Sequence, residues 1–593
     1  MTTSTPSRPA PAPARGGAVG DRTRLAFSRL RGGPWVAFWI LIIAILVLPI
    51  VLFLLVAVSP ALLGQGSQWL SVDGFRQALT GTFLHGVLNS LLVATVSGVL
   101  ATALGGAVAW VVLRTDLAGR ALWSGAMFAL LLAPSYLIAL GWERLLEPSG
   151  VLDLLGVPAS GVRQVFYGAA GVIVVLTVKG VPFAYLAISG ALRGLGDEYE
   201  AAARVHGGGR LAAARMVASL MAPGCWSAFA IVFAEAVSDF GVAATLANDA
   251  HFPVATYTLY AAIDSFPVRF PVAAAVGWVL MALAGLALLA QTRALRGRSY
   301  RVLGGRTRTA RRLRPAPAVR LLTLAGLALL VLVGLGVPVF GAVAASLVRG
   351  LGSLVGDHGL TLENYLRVLH SPALHAPLLF SAELAVVTAT ATVVLGVVCA
   401  RLLSNRQAAI TGRLLDLMLL TAVALPGIVF AAGYIFTYNL PLTNHLGIHL
   451  YQTAFLLFLG YLATALPSTS RVLLASVGQI QESLWQAGRV HGSGALGAWL
   501  KTVLPLLARP LLAAWVLTFA GTLLELPVSQ LLYPPGRPPV AVGITKALAN
   551  YDFGGGTAME VVAIVLALTV MGLAWGLFHL LAPTGWRRIG AAS

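Results

Sequence analysis

Twelve long apolar runs dominate this chain, near 35–58, 84–113, 121–142, 167–190, 226–247, 270–290, 320–346, 377–402, 414–437, 452–475, 511–531 and 558–582. Each is long enough to cross about 30 Å of hydrocarbon as a helix. In lipid, a spanning segment must satisfy its own backbone hydrogen bonds, which leaves helices or closed barrels. Runs of this length and uniform apolarity are helices, so the expected fold is all-α and polytopic, with about twelve transmembrane helices. Composition agrees: 58% of residues are hydrophobic and 10% charged, far from the averages of soluble domains.

The runs fall into two sets of six, and short motifs recur at matching places in each set. Glu200–Gly209 reads EAAARVHGGG and Trp485–Gly494 reads WQAGRVHGSG, with Arg-Val-His-Gly ending at Gly207 and at Gly492, 285 residues apart. Pro182 pairs with Pro467 at the same offset, Pro134 with Pro426 and Gly141 with Gly433 at 292, and Arg120 with Arg413 at 293. A fixed period of this kind marks an internal duplication. The expected organisation is a disordered cytoplasmic tail at 1–33, a first six-helix repeat at 34–291, an arginine-rich linker at 292–320 and a second repeat at 321–593.

Charge sets the orientation. The net charge of +19 comes from arginines in short stretches beside the runs rather than from a folded basic face, so a nucleic-acid partner is not expected. Arg22, Arg24, Arg29 and Arg31 precede the first run, Arg114 and Arg120 lie between the second and third, and Arg587 and Arg588 follow the last. The stretch RALRGRSYRVLGGRTRTARRLRPAPAVR between the halves holds ten arginines and no acid. An even number of spans places all of these on one side, the cytoplasmic one, with both termini. The linker is expected to be a proline-bearing connector drawn to anionic membrane lipid.

Catalytic constellations do not stand out. The lysines Lys179, Lys501 and Lys546 lack the Gly-Lys-Ser/Thr context of a phosphate-binding loop. The His445–His449 pair has metal-compatible spacing without a nearby cysteine or acid, and reads as a loop feature. Cys225 and Cys399 are too few and too far apart for a disulfide framework. No catalytic residue, metal site or cofactor is expected on the chain.

The duplicated segment, in loops 191–225 and 476–510, resembles the EAA loop of type I ABC-importer permeases: Glu-Ala-Ala, three residues, Gly, and a Pro about thirteen positions on. In the second copy this pattern falls on Gln486, Ala487 and Gly488, then Gly492, with Pro505. In the first it falls on Ala202, Ala203 and Gly207, with Ala201 at the acid's position and Glu200 one residue early. The resemblance implies that these residues couple the permease to a cytoplasmic ATPase, two copies of which bind one chain, and that ATP-Mg belongs to that partner. Small residues also permit close approach of a partner's backbone.

Ionisable residues inside apolar runs are costly and mark function by default: Lys179, Glu235, Asp239, Glu383 and Glu525. Asp239 in EAVSDFG and Glu525 in ELPVSQLLYPPG are 286 residues apart, so the duplication sets an acid at one depth in both halves. These segments are similar to those of fused permeases of the iron(III) importer class, which implies a substrate path or gate at Glu235, Asp239 and Glu525. It also implies delivery by a periplasmic or lipid-anchored binding protein, and a place in the bacterial inner membrane. Oxygen ligands suit a hard cation. The same architecture carries thiamine or phosphonates, and the acids also suit capping of broken helix ends. A secondary transporter of the major-facilitator type shares twelve spans, and RTDLAGR at Arg114–Arg120 is similar to a loop of that family, but such a protein has no reason to repeat a coupling loop. A membrane-embedded enzyme should show clustered ligands or nucleophile–base pairs.

Overall fold

The structure is a computed structural model that describes residues 33–148, 151–154, 156–195, 205–206, 209–295, 312–348, 360–405, 409–423 and 425–581. The tail before residue 33 and most of the arginine-rich linker lie outside the described residues. The principal helices of the first half are α1 (Trp35–Val56), α2 (Gly81–Arg114), α3 (Arg120–Leu132), α4 (Ser135–Leu146), α5 (Ala169–Arg193), α6 (Arg210–Ser238), α7 (Ala255–Asp264) and α8 (Phe270–Leu295). Those of the second are α9 (Pro317–Ser346), α10 (Pro372–Ser404), α11 (Ala409–Val423), α12 (Gly427–Tyr438), α13 (Ala454–Val477), α14 (Glu482–Val490), α15 (Trp499–Leu523), α16 (Pro527–Leu532), α17 (Val540–Ala549) and α18 (Phe553–Leu581). Among the described residues ten helices are long and apolar enough to span a membrane, and twelve spans result if each bent pair, α3–α4 and α11–α12, crosses once. Among the described residues the only β pairing is an isolated bridge between Thr115 and Leu313. The chain is a multi-pass, all-α membrane protein.

Two expected straight spans are bent. The third run turns by 95° between α3 and α4, and the ninth by 106° between α11 and α12. The cause is Pro134 and its counterpart Pro426, whose rings fix φ at −62° and −57° and whose ψ values, 143° and 141°, are extended. A proline also drives the preceding residue out of the helical region, and Ala133 is extended at φ −68°, ψ 120°. The fifth and eleventh runs break as well. Helix α6 ends at Ser238 instead of continuing to 247, and α15 ends at Leu523 before the short α16.

The repeat is visible in its hydrogen bonds. Ser90 Oγ accepts from the Ala255 N–H (2.9 Å) at the start of α7, and Ser381 Oγ accepts from the Val540 N–H (2.7 Å) at the start of α17. The halves then exchange their first helices: α1 packs against α12, and α9 against α4. Both α1 and α9 contain a π-turn, Ile43–Val47 and Leu332–Gly336, just ahead of Pro49 and Pro338. Proline lacks the N–H that the preceding turn needs, so carbonyls are freed there. The opposite half supplies the donors. Tyr434 Oη donates to Ile45 O (2.9 Å), Tyr438 Oη to Ala44 O (3.1 Å), and Trp142 Nε1 to Val333 O (3.0 Å). Gly141 and Gly433 let these backbones approach. A Cβ on Gly433 would lie 2.7 Å from Pro49 O, and one on Gly141 would collide with Pro338.

Candidate functional site

Bends and breaks converge around the intramembrane acids. In the first half Asp239 sits at the end of α6 with an extended backbone (φ −67°, ψ 121°). Its Oδ1 accepts from the Val242 N–H at 2.8 Å, and its own carbonyl accepts from Thr256 Oγ1 at 2.8 Å. In the second half Glu525 lies between α15 and α16. Its Oε1 accepts from the Val528 N–H (2.8 Å), and its Oε2 from the Ser529 N–H (3.0 Å) and Ser529 Oγ (3.1 Å). Each acid therefore caps the segment that follows the break, where free N–H groups and the helix dipole favour a negative group.

Each site also touches the bend of its own half. A Cβ on Gly241 would strike Ser135 and approach Tyr136 N at 2.9 Å, and a Cβ on Gly427 would lie 3.2 Å from Pro527 Cβ and 3.8 Å from Glu525 Oε1. Lys179 closes the first-half arrangement by donating to Leu131 O (2.8 Å) and Ala133 O (2.7 Å), the carbonyls left open at the C-terminus of α3. Glu235 lies on α6, one turn before Asp239, and is exposed, as is Glu383 on α10.

Next to Glu525 a cavity of about 310 Å³ opens between α13 and α15, lined by Tyr461, Thr464, Ser468, Thr518 and Thr522 among others. Tyr461 Oη shares a hydrogen bond with Ser529 Oγ at 2.6 Å, linking the cavity wall to the Glu525 cap. Helix α15 also contacts α3 of the first half, so the cavity lies close to the junction of the two repeats.

Of the coupling residues, Glu200, Ala202, Ala203 and Gly207 lie outside the described residues. Those of the second copy are on α14 and just beyond it. Gln486 and Ala487 are exposed on the helix, while Gly488 is buried. A Cβ on Gly488 would lie 3.0 Å from Ala498 Cβ and 3.3 Å from Thr502 Cγ2. Gly492 has φ +83°. Its N–H donates to Arg489 O (3.0 Å), and the Ser493 N–H donates to Gly488 O (3.3 Å). That pair of bonds is the Schellman helix stop, which favours glycine at the left-handed position. The two glycines thus differ in role: Gly488 allows close packing, and Gly492 makes the turn.

Sequence reasoning did not single out a second polar group, at the contact of α4 with α9 and α18. Arg144 pairs with Glu147 (2.5 Å) and Glu143 (3.9 Å), lies over the Phe553 ring (4.6 Å), and is buried with Glu143 and Glu560. Glu143 and Arg144 fall just past the end of the third apolar run as read from sequence, and Glu560 lies inside the last. The signal in the sequence was a pair of charges, Glu-Arg, at a run boundary.

No family model matches the chain. A ferric transport system permease of Actinobacillus pleuropneumoniae is 22% identical over 560 residues, covering 92% of this chain and 79% of that protein. A putative ferric transport system permease of Haemophilus influenzae is 21% identical over 507 residues, covering 83% and 77%. The chain is an ABC-importer permease. A probable molybdenum ABC transporter permease of Haloferax volcanii adds to this at 27% identity over 267 residues, covering 94% of its own length but 44% of the present permease. One relative of single length thus matches less than half of this chain, as a fused pair of permease units requires. The permease is a transport subunit, and permeases of this kind work within an ATPase and binding-protein system.

Proposed function

We propose that this permease carries iron(III) across the bacterial inner membrane, accepting it from an external binding protein and using two copies of a cytoplasmic ATPase. The observation that carries this reading is the similarity to ferric permeases along nearly the whole chain, both halves included. The charge at the helix breaks supports it. Glu235, Asp239 and Glu525 stand against one base, Lys179, whose ammonium is spent on helix carbonyls. Such a balance favours a hard cation, which takes oxygen ligands, over an anionic cargo.

In this reading residues 34–291 and 321–593 are the two permease repeats, and Asp239 and Glu525 hold the segments that line or gate the path between them. Loops 191–225 and 476–510 face the cytoplasm, with both termini and the arginine-rich linker, as the positive-inside rule requires. Gln486, Ala487, Gly488 and Gly492, and Glu200, Ala202, Ala203 and Gly207 in the other copy, dock one ATPase each. ATP-Mg is bound and hydrolysed on those partners.

The deciding experiment is uptake of radiolabelled iron(III) into proteoliposomes that hold the permease with its ATPase, with loaded binding protein outside and ATP within. ATP-dependent iron accumulation is the expected result. Uptake of thiamine or a phosphonate with none of iron would replace the cargo assignment. Uptake without any ATPase would remove the importer mechanism.

A further inference from the structure

The two halves share a backbone plan but differ in the side chains beside their capping acids. At the positions equivalent to the wall of the Glu525 cavity, 285 residues earlier along α5 and 286 earlier along α6, larger or charged side chains stand. Thr464 is matched by Lys179, Ser468 by Phe183, Thr518 by Val232 and Gly521 by Glu235. Lys179 lies 5.9 Å from the Phe183 ring centroid. A Cβ on Gly180 would come within 2.5 Å of Val232 Cγ1, so α5 and α6 are in close contact there, whereas α13 and α15 meet through the Thr469–Thr518 hydroxyl bond (2.9 Å) and leave the cavity open beside it. The equivalent walls therefore differ in chemistry: a base, an aromatic ring and an exposed carboxylate stand in the first half where the second has hydroxyls and a glycine.

The open half has a distinct chemistry. The lining of the 310 Å³ cavity contains Tyr461, Thr464, Ser468, Thr469, Thr518 and Thr522, one carboxylate at Glu525, and no basic side chain. Glu525 accepts three hydrogen bonds, which leaves a carboxylate with about four acceptor sites still able to receive a ligand. Six waters occupy roughly 180 Å³ at liquid density, so an ion with its inner hydration shell fits. A site with one charge and several hydroxyls binds weakly enough to release, as a transit site must.

We propose that the permease has a single cargo-binding site, located in the second half at the hydroxyl-lined cavity beside Glu525, and that it holds a hydrated metal cation. This inference rests on the iron(III) reading above and adds to it the place, the asymmetry and the ligand chemistry. The first-half counterpart presents Lys179, Phe183 and Glu235 in place of the hydroxyls and the glycine, and its base disfavours a cation.

The test uses the full complex in proteoliposomes with radiolabelled iron(III). In one variant, Thr464→Lys with Gly521→Glu gives the second half the residues of the first and fills the cavity. In another, Thr464→Val with Thr518→Val keeps the volume and removes two hydroxyls. Cargo-free ATP hydrolysis and co-purification of the ATPase report folding and assembly. Both variants are expected to assemble and to lose at least tenfold in iron uptake. If the filled variant assembles and transports iron at the wild-type rate, the cavity is not the site, although the iron reading survives. Should the filled variant fail to assemble, the valine pair decides: undiminished uptake overturns the proposal, and a tenfold loss sustains it. A wild-type complex that moves no iron but accumulates molybdate or another oxyanion defeats the cargo reading, and the cation site with it.

Discussion

Asp239 and Glu525 occupy matching breaks and cap them in the same way. Asp239 is hydrogen-bonded by the Val242 and Gly241 N–H groups and by Ser135, and Glu525 receives two N–H groups and a hydroxyl across both oxygens. An amide at either position keeps one carbonyl oxygen for its cap and replaces one needed acceptor with a donor. Glu525→Gln should therefore lower the stability of the purified permease by about 1–2 kcal/mol, in the range of a lost helix cap. Asp239→Asn should cost a similar amount, and both should reduce iron uptake. Thermal unfolding in detergent measures the two values, and no shift in either variant would contradict the capping geometry. At the coupling segment, Gly492→Val forces a β-branched residue into the left-handed region, at about 1–2 kcal/mol. Gly488→Leu instead pushes α14 away from Ala498 and Thr502. Both variants should remain in the membrane and lose co-purifying ATPase. Retention of the ATPase by both would remove the coupling role from α14.

Helices of the two halves agree in course and differ in what they bury. Where α4 meets α9 and α18, Arg144 is buried with Glu143 and Glu560, pairs with the half-buried Glu147 and lies over the Phe553 ring. At the equivalent position α12 places Phe436, 5.2 Å from Phe270 and 6.3 Å from Phe53. One interface between the halves is thus charged and the other aromatic. Removing one partner of a buried ionic group costs about 3–5 kcal/mol, whereas replacing the whole group with apolar residues is often neutral. Arg144→Ala should accordingly abolish or sharply reduce the folded permease. Arg144→Phe combined with Glu143→Ile and Glu560→Gln, the first two copying Phe436 and Ile435 of the other half, should recover most of it. Size-exclusion profiles of the detergent-solubilised chain report the difference, and a triple variant as poorly folded as Arg144→Ala would show that the charges do more than balance one another.

At the scale of the whole molecule, exchange of α1 and α9 between the halves ties them into one folding unit, because side chains of the opposite half donate to π-turn carbonyls of each first helix. A fused pair needs no second copy to complete its pseudo-twofold arrangement. Native mass measurement of the assembled importer should find one permease and two ATPase subunits. A dimer of the permease would contradict this. Orientation is tested at Val490, which is 85% exposed at the end of α14. Val490→Cys, with Cys225→Ser as background, should react with a membrane-impermeant thiol reagent in inverted vesicles and resist it in intact cells, while labelling from outside would reverse the topology.

What the sequence determined by itself follows from local and compositional physics: apolar runs that must be helical in lipid, their number, the twofold repeat and the resemblance of Gln486–Gly492 to a coupling loop. Each of those is readable from residues near one another in the chain. The tertiary structure decided how the runs are shaped and shared. Pro134 and Pro426 were visible as repeat markers, but whether a proline in an apolar run kinks a span or turns it by about a right angle depends on partners elsewhere, such as Lys179 on the open carbonyls of Leu131 and Ala133. Runs extended through Asp239 and Glu525 look continuous in hydropathy, since a break capped by its own carboxylate leaves little mark on the average. The exchange of first helices and the cavity beside Glu525 depend on side-chain volumes that the fold brings together from distant parts of the chain. Hydropathy reports only a residue's preference for lipid over water, whereas packing and hydrogen-bond satisfaction select its neighbours.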